Sequence, residues 1–326
     1  MKRLSLILAL IGTLIAVALV GYFGLDHVAG AIARVGWRDF ALFVGWQVPT
    51  FLVLGFAWDA IVPVTARRPW VLTWARMVRD AASTCLPFSQ VGGFVFGARA
   101  ATLHGMKWQT ATASTVVDVT AEFLAQIVFA CVGLVILLMH APASELALPL
   151  EIGLGVAVIA CAAFFVLQKG AARVFAAMGR RIAGRWFDDA HERVAVLQAE
   201  LRLIYGHAPR LILSFLLHFV GWIATGVAGW IAFRAVGVPI GFPEALVIEA
   251  LLSAVAAVAF LVPAHVGVKE AGYVALGAIF GVPPEAALAV SLLRRARDVV
   301  VGVPILLVWQ FVEVRRLKVL PGAEPR

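Results

Sequence analysis

The stretch AFLVPAHVGVKEAGYVAL, residues 259–276, decides how this chain is read. It enters as a buried apolar helix would and breaks at Pro263. It then passes His265 and Gly267, presents Lys269 and Glu270 side by side, and turns apolar again. Proline removes a backbone donor and clashes with the preceding turn, so it ends a helix. Glycine lets the chain turn. Inside a bilayer, unwound backbone is tolerated only where it is buried in protein or lines a cavity. A break with two opposite charges in a greasy run therefore reads as part of a site.

The surrounding composition places that site in a membrane. Of 326 residues, 62% are hydrophobic and 14% charged, with a mean hydropathy of +0.96. Soluble domains run at about 45–50% apolar and about 25% charged. The reading is one transmembrane domain over residues 1–326. The net charge of +8 sits beside apolar spans, which suits orientation and anionic headgroups rather than nucleic acid.

Chemistry-bearing motifs are sparse. Cys85, Cys131 and Cys161 form no C-x-x-C pair, and the seven histidines fall in no metal-ligand spacing. No P-loop, G-x-S-x-G or H-E-x-x-H occurs. The expectation is a protein that is not an enzyme and carries no metal or cofactor.

Apolar runs give six full spans at 4–24, 40–62, 110–139, 152–168, 211–233 and 286–312. The first lacks a cleavage site and reads as uncleaved. Two further apolar regions, about 70–103 and 244–281, are expected to enter and leave on one side, as re-entrant hairpins or pairs of short helices. The fold class expected is all-α and polytopic.

Arg67, Arg68, Arg76 and Arg79 follow the second span, basic residues fill 169–210, and Arg315, Arg316 and Lys318 close the hydrophobic part. The loops at 140–149 and 235–243 carry no Lys or Arg. The positive-inside rule then puts both termini and both basic loops in the cytoplasm, although Arg34 and Arg38 in the first outer loop count mildly against it. The connector 169–210 has Val194, Leu197, Leu201 and Ile204 at helical spacing. It is expected to lie on the membrane surface or to pack on a partner.

A shift of 176 residues superposes the two interrupted regions without a gap. Pro87 falls on Pro263, Gly105 on Gly281, Asp118 on Arg294, Glu122 on Asp298, and VGW at 44–46 on VGW at 220–222. The corresponding spans run in opposite directions, which is an inverted-topology repeat. Half 1 covers about 40–139 and half 2 about 211–312. Pro87 with Gly92 and Gly93, and Pro263 with Gly267, are the expected breaks and gates. The pairs Gly93/Gly97 and Gly277/Gly281 read as marks of close helix packing.

Thr110, Ser114, Asp118, Glu122 and Gln126 recur every four residues as one polar stripe. Asp118 lies roughly 12 Å into its span, near the middle of a core about 30 Å thick. Arg294, Arg297 and Asp298 hold the matching depth in the other half, with Arg295 on the neighbouring face. Charges there cost about 2.5–3.5 kcal/mol each on insertion scales, so they pair or face a cavity. Asp118, Glu122, His265, Lys269, Glu270, Arg294, Arg297 and Asp298 are the candidate cavity residues. Either they lock the halves statically across the pseudo-symmetry axis, or they hold a lipid headgroup or couple protons.

The run LVPAHVGVKEAGYVALGAIFGVPPEAALAVSLLRRARDVVVGVPILL resembles the C-terminal signature of the lysylphosphatidylglycerol-synthase transmembrane (flippase-like) superfamily. Pro263, Gly267, Lys269, Glu270, Gly281, Pro283, Ala287, Leu288 and Arg294 carry the likeness. LPFSQVGGFVFGARAATLHG with TATASTVVDVTAE resembles the N-terminal signature. LPFSQVGGFVFGARA and SLLRRARDVVVGVP are most similar to the hopanoid-biosynthesis-associated subfamily. The resemblance implies a bacterial inner-membrane protein that moves or handles a lipid, such as a hopanoid, another isoprenoid or a phospholipid. It also implies membrane lipids, and lipid-biosynthesis enzymes, as partners. The chain ends at Arg326 just after its last span, so no fused synthase domain is expected. Two departures stand out. PFSQVGG has Gln90 and Gly93 where the family pattern carries charge, and Ala264 and His265 replace a Gly-rich turn. A less charged lipid is the expectation from that loss. A membrane scaffold for lipid-biosynthesis enzymes and a small-solute transporter are the alternatives.

Overall fold

The computed structural model describes residues 35–86, 89–140, 190–259, 265 and 267–318, with Ile152, Gly155 and Ile159 as isolated positions. Regular structure among them is all helical: α1 (Trp37–Gly45), α2 (Gln47–Ile61), a 3-10 turn (Val64–Ala66), α3 (Pro69–Cys85), α4 (Ser89–Leu103), α5 (Trp108–His140), α6 (Ala190–Tyr205), α7 (Ala208–Ala235), α8 (Phe242–Val258), α9 (Val268–Ile279) and α10 (Pro284–Lys318).

The breaks follow from backbone chemistry. Leu86 ends α3 in an extended conformation, φ −106° and ψ 138°, as the residue before a proline must. Gly267 opens α9 at φ +80° and Gly281 follows it at φ +69°, the left-handed region that L side chains avoid. Pro69 and Pro284 each start a helix, where their missing N–H has no intrahelical partner anyway.

Three helices are long and apolar enough to cross a membrane: Trp37–Ile61, Trp108–Met139 and Ala208–Ala235. They coincide with expected spans at 40–62, 110–139 and 211–233. The expected last span lies inside α10, which carries Arg294, Arg295, Arg297 and Asp298 within about one turn. The expected span at 4–24 lies outside the described residues. So does most of 152–168, together with Pro87, Pro263 and the first half of the connector, residues 169–189. The two interrupted regions are pairs of short helices, α3 with α4 and α8 with α9, each pair packed together.

Two apolar cores interlock. One gathers α2, α3, α4 and α6 with Ala111, Ala113 and Val117 of α5 and Ile305 and Leu306 of α10. The other gathers α1, α7, α8 and α9 with Leu134 and Leu137 of α5 and Ala287, Val290, Leu293 and Ala296 of α10. The long helices α5 and α10 thus thread both cores in opposite order. Gly302 brings α10 onto α3, because a Cβ there would sit 2.5 Å from Cys85 Sγ.

Several expectations are corrected. Arg76 and Arg79 are not loop charges. Both lie inside α3 and are 3% exposed, so Arg67 and Arg68 alone remain as loop cations after the second span. Gly92 and Gly93 do not form a turn, since both lie within α4. Gly93 instead allows close approach, because a Cβ there would meet Ser83 and the Arg79 carbonyl of α3. Gly281 terminates α9 rather than packing helices. The stripe Leu197, Leu201 and Ile204 of α6 packs on the core beside α5 rather than on a membrane surface.

Candidate functional site

Charges inside the helices form two networks, one per half. In the first, α3 presents Arg76 and Arg79 to Asp118 and Glu122 of α5. Arg79 Nη1 donates to Asp118 Oδ2 at 2.6 Å and Arg79 Nη2 donates to Glu122. Arg76 grips both oxygens of Glu122, at 3.1 and 2.5 Å, and reaches Asp80 one turn along at 3.0 Å. His218 of α7 meets Asp118 Oδ1 through Nε2 at 2.9 Å. Asp118 and His218 are fully buried. The Phe94 ring of α4 lies 4.9 Å from the Arg79 guanidinium carbon, and Trp222 Nε1 donates to the Glu122 carbonyl at 3.2 Å. Forked guanidiniums suit this task, because each pairs two carboxylate oxygens in fixed geometry.

In the second network, Glu249 of α8 accepts from Arg294 Nη1 at 2.9 Å and from Tyr273 Oη at 2.6 Å. Gly229 makes room for it, since a Cβ there would stand 2.5 Å from Glu249 Cγ. Arg297 binds its neighbour Asp298 at 2.6 Å and faces the Phe43 ring of α1 at 5.1 Å. Glu270 accepts from the Gly267 N–H at 2.7 Å, from Ser291 Oγ at 3.3 Å and from Arg295 Nε at 2.5 Å. It therefore ties the α9 N-terminus to α10. Lys269 lies in the field of Asp298, Arg294, Arg295 and Arg297. No hydrogen bond or ion pair reaches its ammonium among the described residues. His265 is buried at φ +53°, within the fields of Lys269 and Arg295.

The candidate residues therefore fall into separate groups. Asp118 and Glu122 come together, and Lys269, Arg294, Arg297 and Asp298 come together. Asp118 and Glu122 do not pair with Arg294, Arg295 or Arg297. Their partners are Arg76 and Arg79 of their own half. The first half is consequently not poor in charge, although Gln90 and Gly93 stand where the family pattern carries charge.

The polar stripe of α5 is partnered along its length. Thr110 Oγ1 reaches Glu200 at 3.4 Å, Ser114 Oγ accepts from Trp58 Nε1 at 3.0 Å, and Gln126 donates to the Ser253 carbonyl at 2.9 Å. Sequence reasoning missed Arg76, Arg79, Asp80, His218, Glu249 and Tyr273. The signals were present: RMVRD at 76–80 matches the helical spacing of arginines and aspartate in RRARD at 294–298, and Glu249 is a lone charge in ALVIEALLSAV.

Among the described residues no group of three or more His, Cys, Asp or Glu side chains could hold a metal ion. A shallow, mainly apolar groove on α1 and α2, lined by Arg38, Ala41, Leu42, Gly45, Trp46 and Pro49, lies apart from both networks.

A family model described as the lysylphosphatidylglycerol synthase TM region matches residues 8–305. No curated protein and no solved structure matches the chain.

Proposed function

The chain belongs to the lysylphosphatidylglycerol synthase transmembrane family, and on that premise we propose that it is a flippase-like protein that moves or handles a lipid in the bacterial inner membrane. Both termini face the cytoplasm in this reading. The observation that carries it is the Lys269 ammonium, which among the described residues takes no hydrogen bond or ion pair and lies in the field of Asp298 and of Arg294, Arg295 and Arg297. A cation at that depth is costly unless it meets an anion or a water-filled cavity. A headgroup phosphate or carboxylate is the anion that a bilayer supplies.

Three further observations support alternating exposure through an inverted repeat. First, helix ends recur at the 176-residue shift: α4 ends at Leu103 and α9 at Ile279, while α5 starts at Trp108 and α10 at Pro284. Second, contacts recur with them: α2–α3, α3–α4, α4–α5 and α2–α5 in one half correspond to α7–α8, α8–α9, α9–α10 and α7–α10 in the other. Across the halves, α5–α8 corresponds to α10–α3. Third, α5 and α10 traverse the two cores in opposite order. Halves related in this way can rock about a central site.

The charges support one class of lipid. In the first network each guanidinium is bound to carboxylates, whereas in the second, among the described residues, the Lys269 ammonium has no such bond. That arrangement suits a lipid with a small anionic or polar head on a bulky apolar body, such as a hopanoid-derived or other isoprenoid lipid or a simple phospholipid. Purified protein in vesicles containing fluorescent phosphatidylglycerol or a labelled hopanoid tests this, with the outer leaflet bleached chemically. Faster loss of inner-leaflet label with protein than without is expected for at least one of them. Movement of neither lipid, with retention of a lipid-biosynthesis enzyme on the same vesicles, would favour the scaffold reading.

A further inference from the structure

The first network carries an unbalanced charge. Arg76 and Arg79 supply two positive charges, while Asp80, Asp118 and Glu122 supply three negative ones. Burying net charge without compensation is strongly disfavoured. The basic member of the network besides the two arginines is His218. Its Nε2 is bound to Asp118, and its Nδ1 is buried with no protein partner. One turn back on the same face of α7, Ser214 Oγ is likewise buried without a partner. Buried polar atoms left in this state are the places where a protein holds water.

Three charged groups on the neighbouring helices are already engaged. Glu249 of α8 is bound by Arg294 of α10, Glu200 of α6 receives Thr110, and Asp59 of α2 accepts the Arg68 N–H. A fourth, Glu244 of α8, stands beside Gly241 at the start of its own helix, with Oε2 buried and without a protein partner. No other cation among the described residues is placed to balance the network.

We propose that His218 and Asp118 form a proton-binding site, reached through water held at Ser214, and that its proton drives the lipid cycle. The coupling rests on the lipid-moving reading above; the proton site itself does not. In the unprotonated state Nε2–H donates to Asp118 and Nδ1 is a free acceptor. A proton arrives from water at Nδ1 and makes an imidazolium, and the network becomes neutral. Nε2 can then pass its proton to Asp118 Oδ1. A neutral Asp118 no longer holds Arg79, which remains with Glu122. The bond that α3 makes to the middle of α5 is thereby weakened. Because α3 also packs on α10 of the other half, loosening it changes the contact between halves. Glu122 and Asp80, the more exposed carboxylates at the far end, are the exit for the proton.

The test has two arms on the full chain. In nanodiscs, nitrogen-15 histidine spectra are followed from about pH 5 to about pH 8, the window in which histidine changes charge, with His218→Gln identifying the signal. The expected result is a passage from neutral to imidazolium that Asp118→Asn displaces. A His218 signal that stays in one state throughout overturns the site. In vesicles of phosphatidylcholine and phosphatidylglycerol carrying fluorescent phosphatidylglycerol, an imposed pH gradient of one polarity is expected to speed label movement several-fold. Ser214→Ala, which leaves every ion pair intact, is expected to blunt that response. Movement that ignores the gradient overturns the coupling while leaving the lipid reading standing. No movement under any gradient, with a titrating His218, removes the lipid reading and the coupling but keeps the proton site.

Discussion

Arg79 of α3 and Asp118 of α5 stand 2.6 Å apart with side chains 4% and 0% exposed. They join helices that the sequence separates by 39 residues. Removing one partner of such a pair strands a buried charge, which costs about 3–5 kcal/mol. Arg79→Met and Asp118→Leu are each expected to lose that much. The double variant is expected to lose less than their sum, by a coupling of about 0.5–3 kcal/mol. Thermal unfolding of the four proteins in one detergent measures the difference. Strictly additive losses would show that the two side chains do not depend on each other.

The contact between halves at Gly302 admits no side chain as it stands. A Cβ there would lie 2.5 Å from Cys85 Sγ, closer than any real contact. Gly302→Ala is therefore expected to destabilise by about 1–3 kcal/mol through overpacking. Cys85→Ala removes the obstructing sulfur, so adding it to Gly302→Ala is expected to restore most of the loss. Unfolding midpoints of the two single variants and the double decide the matter. A double variant no better than Gly302→Ala would place the strain elsewhere, for instance at Ala81.

What the sequence made legible follows from which forces act locally. Hydropathy alone located the spans at Trp37–Ile61, Trp108–Met139 and Ala208–Ala235, because lipid rewards every apolar residue of a helix. The breaks were legible in part: Leu86 before a proline and Gly267 obey rules of their own backbone, but Gly92 and Gly93 lie within a helix. Ion-pair partners were not legible. Arg76 and Arg79 follow a span, as orientation charges do, and only the fold turns them toward Asp118 and Glu122. The 176-residue shift aligns Asp118 with Arg294, an alignment of opposite charges that suggests a pair. Positions related by a repeat are equivalent places in the two halves, however, and equivalence does not bring them together. Glu249 and His218 are single polar letters in apolar runs, and their partners come from other helices.

Two of the three glycines expected at the breaks, Gly267 and Gly92, are expected to part ways on substitution. Gly267 sits at φ +80°, where an L residue costs roughly 1–2 kcal/mol. Gly267→Ala is expected to lower stability by that amount. Gly92 lies inside α4 with nothing near its missing Cβ, and alanine in a helix is favoured over glycine by about 1 kcal/mol. Gly92→Ala is expected to leave stability unchanged or raise it. Paired unfolding curves check both signs, and a loss at Gly92 would show that residue 92 needs glycine for a reason other than helix formation.

Lys269 and Glu249 lie in the same half but are expected to fail differently. Glu249 binds Arg294 and Tyr273 at once, so Glu249→Gln weakens a buried pair and is expected to lower stability. The Lys269 ammonium has no such bond among the described residues, so Lys269→Gln strands no partner. Stability should then change by no more than about 0.5 kcal/mol. Its loss should appear in lipid binding instead. Delipidated protein titrated with phosphatidylglycerol and read by native mass spectrometry is expected to bind roughly tenfold more weakly, about 1.4 kcal/mol. Binding of neutral phosphatidylcholine should stay as it was. If Lys269→Gln keeps its phosphatidylglycerol and instead unfolds early, Lys269 is a structural cation paired with Asp298, and the headgroup must be held elsewhere.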